Sequence, residues 1–265
     1  MPSLTAAYAA IDTATARPPL VSEPSWREGE AIAGARSSGY GAVPFDPVTL
    51  QSVPLPSRLS ALHDLVDALA AARIGVTFNQ YRETGGDDAT LDAPVIRRRN
   101  LLHYLSTRVD APVVLVAEAA GWRGARYSGL CLYCERQIDE ATTPLRRTST
   151  HPRGWVEPSA TVVQAAIAPW AGSVLLWNAV PTHPRRDAVD HSNRTPTRAD
   201  LVEGERWLRR LLDVIEPRHV AAIGRSAARV LGADAPSVRH PSHGGAVATS
   251  QGLRRLLTDW LGPGG

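Results

Sequence analysis

From residue 111 onward, short apolar runs alternate with stretches of helical period, and few folds accept that pattern. The runs are Val113–Ala117, Ser173–Trp177, His219–Ile223 and, more briefly, about Ser237–Arg239. Between and after them lie helical stretches: Arg198–Ile215, a segment running from Gly224 through Leu231, and a closing one near Leu253–Leu261. Thr197 precedes the first of these and Asp200 follows three residues later, close to a capping box. Strands separated by helices pair in parallel and are covered on both faces. The expected fold class is therefore α/β, a three-layer α/β/α arrangement with a central four-stranded parallel sheet. Ligands of such sheets sit beyond the carboxyl ends of the strands. The residues there are Glu118, Asn178, Gly224 and His240: an acid, an amide and an imidazole at one edge.

The first part of the chain is less regular. Residues 13–56 are rich in Pro, Ser and Gly without sustained periodicity, so residues 1–56 read as an irregular N-terminal arm and 57–265 as the folded domain. Ser57–Arg73 carries leucines and alanines at helical spacing with Ser57 as a plausible cap, Gly85–Asp88 is a loop, and Asn100–Arg108 belongs to a second helix. The apolar runs are strand-sized, far short of a membrane span. Residues 1–20 lack the basic start and apolar stretch of a signal peptide, so the expectation is a cytoplasmic protein that needs no membrane.

Composition excludes some chemistry. All 29 basic residues are arginine. Without lysine there is no Schiff base and no P-loop lysine. A formal charge of +3 permits a polyanionic partner without requiring one. The two cysteines, Cys131 and Cys134, form a lone CxxC, whereas a structural zinc or an iron–sulfur cluster needs four ligands. No metal and no cofactor is expected.

Four pieces in order then resemble one family. They are Ala117-Glu-Ala-Ala-Gly121 with the Gly124–Gly129 loop, Leu175-Leu-Trp-Asn178, Asn193-Arg-Thr-Pro-Thr-Arg-Ala-Asp200 with its helix and Val220–Gly224, and His240-Pro-Ser242. Together they resemble the uracil-DNA glycosylase superfamily over roughly residues 111–260, and the branch whose members carry an iron–sulfur cluster most of all. The chain departs from that branch in having Ala117 for Gly, Ala120 for Pro and two cysteines for four.

The resemblance implies an enzyme that extrudes a nucleotide from DNA, holds the base by stacking and by its Watson–Crick edge, and hydrolyses the N-glycosidic bond. Tyr127 is then the stacking face, and Ala119 and Gly121 line the base. Asn178 reads uracil, its NH₂ donating to O4 and its carbonyl accepting from N3–H. His240 donates to O2, where charge grows as the bond stretches. Glu118 orients the water and stabilises the oxocarbenium-like sugar. Ser242 and His243 meet the DNA backbone or the gap left by the base, and Arg185 and Arg194 are further DNA contacts. His183 and Arg185-Arg186 line the mouth of the site, although a solvated basic loop explains the arginines almost as well. Phe78–Arg82 touches DNA or packs internally. The expected partner is uracil-containing DNA, bound by a monomer. Two other readings stay open: release of another deaminated base such as hypoxanthine, and a DNA or abasic-site binder without turnover.

Overall fold

The structure, a computed structural model, describes residues 54–187 and 189–264. The expected arm lies outside these residues except for its last three, Pro54 to Pro56. The strands are β1 (Val113–Ala119), β2 (Val174–Val180), β3 (His219–Ile223) and β4 (Ser237–Val238). The helices are α1 (Leu55–Ala71), α2 (Ala93–Ser106), α3 (Ala125–Ser128), α4 (Glu135–Glu140), α5 (Pro158–Ile167), α6 (Arg198–Ile215), α7 (Arg225–Leu231) and α8 (Ala246–Leu261). All strand pairs are parallel, in the order β2-β1-β3-β4. Helices cover the sheet in a three-layer α/β/α fold. Residues 113–117 of β1 and all of β2 are buried, which is why both read as unbroken apolar runs. None of the described helices is long and apolar enough to cross a membrane.

Helix α6 is built from the signals in its sequence. The Thr197 hydroxyl accepts from the Asp200 N–H, and the Asp200 carboxylate accepts from the Thr197 N–H. Helix α6 packs against β2, with Gly204 turned to Ala179 and Val180. A Cβ there would lie 2.0 Å from the Ala179 carbonyl oxygen, so only glycine lets the helix backbone come this near.

Other boundaries differ from expectation for local reasons. Helix α1 starts at Leu55, with Pro56 in its first turn; Pro54 is the cap position and the Ser57 hydroxyl donates to the Pro54 carbonyl, so Ser57 is not the cap. Helix α2 starts at Ala93, seven residues before Asn100, because Pro94 suits the first turn and the charged Arg97–Asn100 stretch is partly turned inward. Strands β1 and β2 run on to Ala119 and Val180, so Glu118 and Asn178 lie within the last residues of the strands. Helix α8 begins at Ala246 rather than near Leu253, and α4 and α5 were not expected.

Two polar hubs hold the irregular segments. Arg97 is fully enclosed; it donates to the Gln80 and Glu83 carbonyls and grips both Asp88 carboxylate oxygens at 2.7 and 3.0 Å, while Arg126 adds a third bond at 3.1 Å. Burial alone would raise the Asp88 pKa, but the Arg97 hydrogen bonds and charge hold it below the usual carboxylate range. Glu135, also enclosed, accepts from the Thr148, Ser149 and Trp155 N–H groups and from the Ser149 hydroxyl. Of the Phe78–Arg82 stretch, Phe78 to Tyr81 are internal and Arg82 is exposed: Asn79 donates to the Leu69 and Ala72 carbonyls and the Tyr81 hydroxyl to that of Gly129.

Candidate active site

At the carboxyl end of the sheet lies a cavity of about 330 Å³, walled by Glu118, Gly121, Leu132, Glu157, Arg194 and His240 among others. A neighbouring depression of about 470 Å³ shares His240, Ser242 and His243 with it and continues past Gly224 and Arg225. The histidine turn therefore stands between two hollows along one edge, next to the point where the chain leaves β1 and β3 in opposite directions.

His240 is set by its own turn. Gly224 ends β3 at φ +92°, and a Cβ on it would come within 3.1 Å of the His240 Cβ, so glycine supplies both the turn and the space. The imidazole Nδ1 accepts the Ser242 backbone N–H at 3.2 Å and lies 2.8 Å from the Ser242 hydroxyl. A backbone N–H can only donate, so Nδ1 carries the lone pair and the proton of the neutral ring is on Nε2. Burial lowers the His240 pKa below its ordinary value, with nearby Glu118 opposing and His243 assisting. The ring is thus a neutral donor at pH 7, and Nε2 has no partner among the described residues.

Glu118 also lines the cavity. One carboxylate oxygen accepts from the Ser226 hydroxyl at 2.5 Å, in the first turn of α7, which leaves the other oxygen available. Ala119, Gly121, Ser242 and His243 line it too.

Four expected residues are placed differently: Asn178, Tyr127, Arg185 and His183. Asn178 is nearly enclosed behind the wall, paired in register with Ala117, which does line the cavity. Its Oδ1 accepts from the Cys131 thiol at 3.1 Å, and its amide nitrogen makes no hydrogen bond among the described residues. Tyr127 does not line the cavity: its ring is buried against Trp155 and its hydroxyl donates to Asp87. From the same stretch of chain it is Leu132, at φ +47°, that does. Arg185 lies in a separate groove with Arg186 and Arg194, ion-paired to Asp190 and resting over the Phe78 ring. Arg194 borders both this groove and the cavity and is held by Asp200 at 2.5 Å. His183 is not at the mouth; it is fully buried, its Nδ1–H donates to the Ala120 carbonyl, and burial pushes its pKa down to about 4.

Two features were not anticipated. Trp122, beside Gly121, stacks on His191 with ring centroids 4.9 Å apart and meets Trp155 edge-on, making an aromatic rim. Glu157, the residue before α5, extends its carboxyl group over Gly121 and Gly124 into the cavity. Burial raises its pKa to about 7. The glycines at 121 and 124 were the available signal, since side chains there would strike this carboxyl.

The family model for the uracil DNA glycosylase superfamily matches residues 107–259, which include all four strands and the cavity. The chain belongs to this superfamily. It is accordingly a DNA glycosylase, a hydrolase of base–sugar bonds that takes DNA as its substrate. No curated protein matches it. The cluster of the superfamily's iron–sulfur branch does not fit this member. The chain has two cysteines; Cys131 is spent on Asn178 and Cys134 caps α4. No group of three or more potential metal ligands occurs among the described residues.

Proposed function

We propose that this DNA glycosylase releases uracil and leaves an intact abasic strand. The observation that carries this reading is the His240 turn, which holds a neutral ring with its proton on Nε2 at the cavity wall; Asn178, behind that wall beside Ala117, would meet the base edge. The Cys131 thiol donates to Oδ1, which sets the amide and leaves Nδ2 as a donor for a carbonyl. Uracil O4 accepts such a donor, and the lone pair left on Oδ1 takes N3–H; cytosine turns an amino group to the same place and leaves two donors facing each other. Buried polar groups left unpaired in this way make a site reject the wrong base strongly.

As the glycosidic bond stretches, charge accumulates on uracil O2, and the Nε2–H of His240 supplies a donor that is already in place. The free oxygen of Glu118 holds the water and faces the cationic sugar, while Ser226 keeps the carboxylate from rotating. Ser242, His243 and Arg194 serve the phosphates flanking the flipped nucleotide. Without lysine there is no ordinary amine nucleophile for strand cleavage, so the reaction stops at the abasic site.

The test is incubation with oligonucleotides containing uracil, hypoxanthine or cytosine, then alkali and gel electrophoresis. Alkali-dependent cleavage of the uracil strand alone is the expected result. Cleavage confined to hypoxanthine shifts the substrate, and a gel shift without base release from any strand refutes turnover.

A further inference from the structure

Glu157 is the one carboxyl group of the cavity that no partner accounts for. Glu118 has Ser226, whereas no hydrogen bond and no ion pair engages the Glu157 side chain among the described residues. Its two oxygens fill the space over Gly121 and Gly124, where added Cβ atoms would fall 2.3 and 2.2 Å from them. Four N–H groups of that loop are committed elsewhere: Gly124 and Arg126 donate to the Gly121 carbonyl, Tyr127 to that of Gly124, and Trp122 to Asn193. Arg194, His240, His243 and Glu118 face the same cavity, Arg123 lies over Trp122, Arg126 is turned to Asp88, and the Cys131 thiol is raised in pKa by burial and then by Glu157. None of these cations pairs with Glu157. A half-buried carboxyl with neither a cation nor a hydrogen-bond donor beside it is shifted toward its protonated form.

A protonated carboxyl has one O–H to give. On the reading that the base is uracil, we propose that Glu157 meets the flipped base as a neutral acid whose O–H donates to a ring carbonyl, making it a specificity-determining residue. It lies over Gly121 and Gly124 and near Cys131, the partner of Asn178, whereas Glu118, held by Ser226, adjoins His240. Ring carbonyls of uracil or hypoxanthine accept the bond; an amino group in the same position, as in cytosine or adenine, cannot. When Glu157 ionises, its oxygens repel the carbonyl instead. Base release therefore weakens as pH rises through about 7, the point to which burial raises this group. A general base at the same position would do the opposite, gaining activity with pH. The titration of His240 falls on the acid side of that limb, since its pKa is lowered.

The experiment is single-turnover release of uracil from a uracil-containing single strand between pH 5.5 and 8.5, for wild type, Glu157→Gln and Glu157→Ala. Glutamine keeps a neutral donor at every pH, so Glu157→Gln should stay within a few-fold of wild type at the acid end and lack the alkaline decline. Glu157→Ala should lose roughly 10- to 100-fold, as for one hydrogen bond to the bound base. If Glu157→Gln is as impaired as Glu157→Ala, or wild-type release climbs through pH 7, the proposal is overturned. In parallel, the ¹³C-labelled glutamate carboxyl is followed by NMR with free uracil as the probe. A carboxyl that titrates near 7 and shifts on adding uracil below that pH supports the assignment. One that titrates in the ordinary range, or ignores uracil, refutes it. Should wild type release no uracil at any pH, the uracil reading fails on its own and the carboxyl signal alone decides the role of Glu157.

Discussion

His240→Ala removes one donor from the wall of a partly enclosed cavity and changes little else. The ring is partly buried, its Nδ1 bonds are to an exposed serine in the same turn, and water replaces them when the ring is gone. The fold should therefore lose less than about 1 kcal/mol. In the proposed role the chemical step loses an Nε2–H donor to developing charge, and loss of one preorganised donor of this kind costs roughly 10²–10³ in rate, about 2.7–4 kcal/mol. Binding of uracil DNA should fall far less, because the bond strengthens as the glycosidic bond breaks. Single-turnover kinetics with excess enzyme, alongside a binding isotherm, separate the two. A second substrate sharpens the test. A fluorine at uracil C5 spreads the leaving-group charge, so the variant's deficit should shrink on 5-fluorouracil. An equal deficit on both bases would mean that His240 positions the turn rather than stabilising charge; an unchanged rate on uracil would remove it from the mechanism.

Asn178→Asp should lose most release of uracil and gain weak release of cytosine, whose amino group finds an acceptor in the carboxylate; matched uracil and cytosine strands measure both. Asp88→Ala leaves Arg97 and Arg126 enclosed without their counter-charge and should cost about 3–5 kcal/mol, read from urea denaturation midpoints. His183, with a folded pKa near 4 against about 6.5 unfolded, contributes stability above pH 6.5 that is lost as pH falls toward 4. That contribution is on the order of 3 kcal/mol, and thermal melts of His183→Leu should show a flatter acid limb than wild type.

The sheet was legible because both faces of β1 and β2 are covered, which forces unbroken apolar runs, and α6 because its capping box and apolar face agree. Helix α5 was not expected although Pro158 sits at its first position and Ala160, Val163 and Ile167 share one face, because the run is too short to stand out. The start of α2 was hidden by charge: Arg97 and Asn100 look solvent-facing until Asp88 and the Ser128 and Arg146 carbonyls arrive from distant segments. Glu118 and the His240 turn follow from strand-end position and local motif. The lining role of Leu132 and Glu157 does not, because each depends on how the chain between β1 and α5 folds back, and nothing periodic encodes that path. Tyr127 shows the converse: an aromatic ring in the right loop was drawn inward by Trp155 and Asp87.

The contact at Gly204 makes α6 a spacer of fixed length. At its start, Asp200 holds Arg194 and with it the loop bordering the cavity; one turn later Gly204 lies against Ala179, the neighbour of Asn178. The loop carrying Arg194 and the end of β2 are therefore indexed to each other through a single helical turn. Inserting one residue between Asp200 and Gly204 would swing the loop about 100° around the helix axis and advance it about 1.5 Å. Substitutions along this turn can be absorbed, but a change in its length cannot, so relatives that keep this site should vary in the residues between these two positions and not in their number.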